Sequence, residues 1–214
     1  MIGVVIPAHN EERFIEKCLR SVIEAGRHPS LQEEVRILVV LDSCTDSTSE
    51  IVASCGVMSL VSEGRNVGRA RCAGARYLID VGARWLAFTD ADTIVAPEWI
   101  VRQVQFGADA VCGTVTVDTW EAHPARARAR YEGLYQHVEG HRHIHGANLG
   151  VCANAYTGAG GFKHLEAHED VNLIQDLERL GARIVWTASN SVITSARKES
   201  RCRDGFGDYL LSLS

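Results

Sequence analysis

Short apolar runs alternate with segments of helical period through the first half of this 214-residue chain, and no other feature narrows its fold so far. Ile2 to Ile6 is apolar and ends at Pro7, after which Ile15, Leu19, Val22 and Ile23 trace one face of a helix that stops at Gly26. Val35 to Leu41 is the second run; Asp42 closes it, and Asp46 supplies an N-cap for a segment carrying Ile51 and Val52. Val57 to Val61 predicts a short third strand, Asn66 to Val81 a helix by its Ala and apolar spacing, and Trp85 to Thr89 a fourth strand. Such continuous apolar runs suit strands covered on both faces. The pattern therefore predicts an α/β fold, a Rossmann-like, doubly wound and mostly parallel sheet flanked by helices, at least to residue 106.

Beyond that point Ala108 to Val117 reads as another strand and Pro124 to Gly140, rich in Arg and Ala, as a helix. Residues 141 to 163 hold many Gly, His and Asn and predict loops around a site, followed by a helix from Val171 to Leu180 and a strand from Arg183 to Trp186. With 46% hydrophobic residues the chain can bury a full core. One domain is expected over 1–214, in two parts, 1–106 and 107–214.

Charge and cysteine usage remove several classes of function. A formal net charge of −5 with mixed signs leaves no basic stripe for a nucleic-acid backbone, so nucleic acid is excluded as a partner. The seven cysteines are scattered and form no Cys-x-x-Cys pair, which suits reduced core residues. The chain opens on a strand without a basic and apolar leader, and no run approaches the roughly eighteen apolar residues of a membrane span. A soluble cytoplasmic protein is expected, with peripheral membrane contact left open.

The chemistry concentrates at the ends of the predicted strands, where α/β sheets bind ligands. Asp90 and Asp92 follow the fourth strand at spacing i, i+2. Buried carboxylates want a hard divalent cation, a donor hydroxyl or both, which points to a metal-bound diphosphate. On these residues alone a solvated turn stays open as the alternative. Asp42, at the second strand end, is an acceptor-only group suited to a ring N–H, or else a turn residue. Glu11 suits ribose hydroxyls and also the start of the helix behind it.

Four strings carry a resemblance: Ile6-Pro7-Ala8-His9-Asn10-Glu11-Glu12, Val40-Leu41-Asp42-Ser43-Cys44-Thr45-Asp46, Asp90-Ala91-Asp92 and His168-Glu169-Asp170. In order and spacing they resemble the inverting family 2 glycosyltransferases of GT-A fold, across most of the chain. The resemblance implies that Pro7, Asn10 and Glu11 line a nucleotide pocket, that Asp42 accepts from the base, and that Asp90 lies near the ribose. It implies Asp92 as a ligand for Mg²⁺ or Mn²⁺ against the donor diphosphate and Asp170 as the general base for an acceptor hydroxyl. The partners it implies are a nucleotide-diphosphate sugar, UDP favoured, and an unknown hydroxyl acceptor.

Within Gly64 to Arg71, which resembles the family's stretch near the base, Arg65 is the candidate for base or phosphate, while Arg69 and Arg71 read equally well as a solvated helix face. Glu169 reads as first-turn compensation of the helix dipole. Gly146-Ala147-Asn148 and Gly158 to Phe162 resemble an acceptor-side loop. Ser195 to Lys198, including Arg197, and Arg201 to Phe206 combine basic charge with glycine, as a loop closing over a diphosphate does. His137, His141, His143 and His145 lack accompanying Cys, which disfavours zinc and leaves acceptor contacts or exposure. The chain departs from the family in having no His from 187 to 214 and no Gln-x-x-Arg-Trp string, which argues for transfer of one sugar rather than processive synthesis. A sugar-nucleotide nucleotidyltransferase and a non-catalytic nucleotide binder are the competing functions; no Gly-rich Arg-containing loop follows the first strand to support the former.

Overall fold

The computed structural model describes residues 1–120 and 124–197. An eight-stranded sheet runs through them in the order β3-β2-β1-β4-β7-β6-β8-β5. Its strands are β1 (Ile2–Ala8), β2 (Val35–Asp42), β3 (Met58–Ser62), β4 (Trp85–Phe88), β5 (Thr93–Ile94), β6 (Ala110–Val117), β7 (Leu149–Cys152) and β8 (Ile184–Thr194). The first four pair in parallel, β7 is antiparallel to both β4 and β6, β8 is parallel to β6, and β5 is antiparallel to β8. Helices are α1 (Ile15–Gly26), α2 (Thr48–Ser54), α3 (Val67–Asp80), α4 (Trp99–Gln105), α5 (Ala125–Leu134), α6 (Ala153–Gly158) and α7 (Glu169–Arg179).

Both faces of the sheet are covered, as the unbroken apolar runs require. Along β1 the side chains alternate: Ile2, Val4 and Ile6 join one core with Ile15, Leu19 and Val22 of α1, and Val5 joins the other with Leu78 of α3 and Leu173, Ile174 and Leu177 of α7. Burying each of those three α7 side chains contributes about 1.5–3 kcal/mol. Asn66 starts α3 as an N-cap, its side chain accepting the Arg69 N–H at 2.8 Å. Asp46 acts one residue ahead of the α2 cap position, accepting from the Thr48 N–H at 3.0 Å.

The strand order reverses between β1 and β4, because β2 and β3 lie on one side of β1 and β4 on the other. That reversal opens a crevice at the carboxyl ends of β2, β1 and β4. In register, Ala8 stands beside Leu41 and Val5 beside Phe88, so the segments after Ala8, Leu41 and Phe88 converge there.

The second half differs from the sequence expectation in several places. The helix expected over 124–140 ends at Leu134, and the loops expected over 141–163 contain β7 and α6. The strand expected at 183–186 continues to Thr194. It survives its polar centre because β8 shifts register against β6 between Gly113 and Thr114, where Thr187 and then Ser191 are the partners. The buried Asn148 side chain braces that irregularity, donating to the carbonyls of Thr114 at 2.8 Å and Asn190 at 2.7 Å. Asn148 also accepts from the Trp99 indole at 2.9 Å, so the Gly146–Asn148 segment is a 3₁₀ turn in which the asparagine is structural while Gly146 and Ala147 line the crevice.

Candidate functional site

A cavity of about 850 Å³ occupies the crevice. Its size falls within the usual range for small-molecule sites, roughly 300–1,000 Å³. One wall carries Pro7, Glu11, Asp42, Arg65, Asp90 and Asp92, and Asp170 and Arg197 line the same cavity. Asn10 is absent from the lining: it sits at φ 55, and its side-chain oxygen accepts the Thr45 N–H at 2.8 Å. Asparagine tolerates that left-handed backbone, and here it ties the loop after β1 to the loop after β2.

Asp42 is more heavily engaged than its place in the sequence suggests. Oδ2 accepts the Asn66 N–H at 2.7 Å, and Oδ1 accepts the Arg65 N–H at 3.2 Å and the Ser43 hydroxyl at 3.3 Å. It is 4% exposed and fastens the loop ahead of α3 to the sheet. A carboxylate has about four acceptor sites, so one remains for a ligand. Arg65 itself lies exposed on the rim with φ 47.

Glu11 is buried and forms a two-pronged ion pair with Arg197, at 2.5 and 2.6 Å. The same guanidinium stands 3.3 Å from Asp92 Oδ2 and 5.5 Å from the centroid of the Phe14 ring. Asp92 is nevertheless undercompensated. Burial pushes its carboxyl up to about 7, Arg197 opposes the rise, and the charges of Asp90 and Glu11 add to it. A divalent cation would offset that desolvated charge, and Mg²⁺ needs one or two protein carboxylates when diphosphate and water complete its shell. The donor set therefore fits such an ion, although among the described residues no three His, Cys, Asp or Glu side chains are grouped to hold a metal alone. Seven carboxylates and four arginines line the cavity among the described residues, an excess of negative charge that a bare diphosphate would oppose.

Asp170 sits in the first turn of α7, behind His168 at φ 59. Its Oδ2 accepts the Gly146 N–H at 2.7 Å and its Oδ1 the Val171 N–H at 2.8 Å, so two backbone donors fix the carboxylate at the cavity wall.

Two residues have roles that the sequence concealed. Arg71, for which contact with base or phosphate and a solvated helix face read equally well, is 3% exposed; its guanidinium donates to both Asp90 Oδ1 and Glu169 Oε1. Glu169, read as dipole compensation, is likewise 3% exposed and is the Arg71 partner. A signal was present, since Arg71 falls in the stripe Gly68, Arg71, Ala75, Leu78 that α3 turns inward.

The histidine run divides: His137 is exposed, whereas His143 and His145 line the cavity. His141 is buried, His143 stacks on Tyr135 with centroids 4.0 Å apart, and His145 Nε2 meets the Tyr135 hydroxyl at 2.9 Å. Burial, then the neighbouring His143 and His141, hold His145 down to about 3, so it is neutral at neutral pH. Arg201 to Phe206, assigned to a closing loop, lie outside the described residues.

The family model for glycosyl transferase family 2 matches residues 3–165. A glucosyl-dolichyl phosphate glucuronosyltransferase of Haloferax volcanii is 23% identical, aligned over 86% of this chain and 66% of its own length. Among solved structures, the mannosyltransferase PcManGT from Pyrobaculum calidifontis, in complex with GDP-Man and Mn²⁺, superposes with a TM-score of 0.71 at 18% identity, over 94% of this chain and 58% of that one. Residues 1–349 of S. aureus TarS, in complex with UDP-GlcNAc, give a TM-score of 0.70 at 15% identity, over 99% and 64%. The chain thus spans less than two thirds of the length of each. The parallel half-sheet, the crevice at its switch point and the matched residues agree on one conclusion: this chain belongs to glycosyl transferase family 2 and has the GT-A fold.

Proposed function

We propose that this chain transfers a single sugar from a nucleotide-diphosphate sugar, UDP favoured, to an acceptor hydroxyl with inversion at the anomeric carbon. The observation that carries this reading is the single cavity that holds both Asp92, desolvated and undercompensated, and Asp170, fixed by two backbone donors. Asp42 accepts from the base, Glu11 and Asp90 face the ribose, and Arg65 and Arg197 meet the phosphates. Asp92 is the residue that would hold Mg²⁺ or Mn²⁺, which would supply positive charge against the diphosphate.

In transfer, the acceptor oxygen attacks the anomeric carbon from the face opposite the diphosphate, and the bond to the leaving phosphate oxygen breaks. The proton of the attacking hydroxyl passes to Asp170. Negative charge gathering on the leaving nucleotide is met by Arg197. The solved neighbours in complex with GDP-Man and Mn²⁺ and with UDP-GlcNAc support a nucleotide-sugar donor by analogy of fold. The six described cysteines are unpaired, which supports a reducing, cytoplasmic setting. No helix among the described residues is long and apolar enough to cross a membrane.

Calorimetric titration of UDP, GDP and their sugar conjugates, with and without Mg²⁺ or Mn²⁺, tests this without an acceptor. Metal-dependent binding of one nucleotide is expected, and its loss in Asp92→Ala. Absence of binding by every nucleotide under every metal would sink the proposal.

A further inference from the structure

The donor wall and the turn that carries Asp170 belong to elements far apart in sequence, and one buried side chain joins them. Arg71 projects from α3 with one arm of its guanidinium on Asp90 and the other on Glu169. Glu169 precedes Asp170 in the first turn of α7. The plane of the guanidinium lies against Gly146, where any Cβ would collide with Nη1, Cζ and Nη2. Gly146 in turn donates its N–H to Asp170 Oδ2 at 2.7 Å. Arg71 therefore reaches the Asp170 turn twice, through Glu169 and by packing under Gly146. Arg71, Asp90, Glu169 and Asp170 all line the cavity, and the Arg71 and Glu169 side chains are each only 4% exposed.

The charges also explain why the residue is arginine. A lysine carries its three donors on one nitrogen, whereas the planar guanidinium presents Nη1 to Glu169 and Nη2 to Asp90 from two separate nitrogens in a fixed fork. A buried cation shared between two carboxylates is costly to leave half-paired, so the three groups keep one arrangement or lose it together.

We propose that Arg71 is a positioning residue which couples the donor pocket to the Asp170 turn, so that a nucleotide engaging Asp90 tightens the Gly146 to Asp170 hydrogen bond. This rests on the reading of Asp90 as donor-side and Asp170 as acceptor-side. The coupling is a linkage free energy between two parts of one site, and linkages of this kind typically change an equilibrium by roughly 5- to 150-fold.

Hydrogen exchange at the Gly146 amide and over residues 169–172 reads the coupling directly, with the UDP or GDP and metal selected by calorimetry as the probe. In the wild-type protein, saturating nucleotide is expected to slow Gly146 exchange by at least about 5-fold. In Arg71→Lys the slowing should vanish although calorimetry still records binding. A purely structural Arg71 would instead raise exchange equally with and without nucleotide, and would leave the slowing intact. Should Arg71→Lys fold poorly, Glu169→Met, which fills similar space without an oxygen to accept from Arg71, cuts only one arm, retains the Asp90 bond and should also abolish the slowing. Persistence of the slowing in either folded variant, or its absence in a wild type that binds nucleotide, would overturn the coupling while leaving the transferase reading intact. A wild type that binds no nucleotide would overturn both.

Discussion

Asp170, the general base of the proposed transfer, is held in place without being consumed by its neighbours. Both carboxylate oxygens accept from backbone N–H groups, at 2.7 and 2.8 Å, and each keeps a further lone pair for an acceptor hydroxyl. Asn in its place keeps an oxygen for the Gly146 N–H but takes up no proton. Asp170→Asn is therefore expected to bind nucleotide as the wild type does and to lose transfer by ~10²- to 10⁴-fold. Calorimetry beside an assay of nucleotide release during transfer separates the two; undiminished transfer would remove Asp170 from the chemistry. The residues that sequence reading placed on the cavity wall are those whose chemistry is local, a carboxylate at a strand end. Arg71 and Glu169 escaped because their roles exist only as a long-range pair, 98 positions apart, and a charged residue in a helical stripe is indistinguishable from a solvated one until its partner is known. The Asn10 contact with Thr45 is hidden from the sequence for a related reason, since Thr45 belongs to the neighbouring βα loop.

α3 packs closer to the sheet than a helix with ordinary side chains can. At Gly74 an added Cβ would stand 2.6 Å from Val5 Cγ1 and 2.9 Å from Val40 Cγ2, and both neighbours are fixed in strands. Gly133 of α5 is exposed, and a Cβ there would meet nothing within 4 Å. The same substitution should thus have opposite signs. Gly74→Ala is expected to destabilise by about 1–3 kcal/mol through overpacking, whereas Gly133→Ala should stabilise by roughly 0.5–1 kcal/mol through helix propensity. Urea denaturation of both variants checks this, and a stabilised Gly74→Ala would show that α3 can lift off the sheet without cost. The elements most legible in the sequence are those whose periodicity a single face of burial imposes, as in α1 and β1 to β4. β5 has two residues and β7 four, too few for a period to declare itself, and β8 changes register at a polar centre held by Asn148.

Two titrations on opposite sides of the cavity give the folded molecule opposing proton linkages. Asp92 is raised by burial from 3.8 to about 7, so its ionisation costs stability: the folded state is unpenalised below 3.8 and loses stability as pH rises through about 7. His145 is lowered by burial from 6.5 to about 3, so stability is intact above 6.5 and is lost as pH falls toward 3. Between 3.8 and 6.5 the two windows overlap, and one proton is involved in each with opposite sign. Their slopes oppose each other there, so the wild type is flatter than either variant; His137 and His143, which burial lowers, and the lowered carboxyls of Glu33, Glu34, Asp46 and Asp176 tilt it toward greater stability at higher pH. Asp92→Asn removes one side of the balance, so its stability should decline with falling pH by up to ~1.4 kcal/mol per pH unit below about 6.5. His145→Gln, which keeps a partner for the Tyr135 hydroxyl, removes the other side, and its stability should decline as pH rises from about 4 to about 7. Urea midpoints of the three proteins across that range, in chelator to exclude bound metal, decide the matter. A wild-type slope as steep as that of Asp92→Asn would mean that the Asp92 carboxyl ionises near its ordinary value, and that the cavity already supplies the positive charge which the proposed cation is invoked to provide.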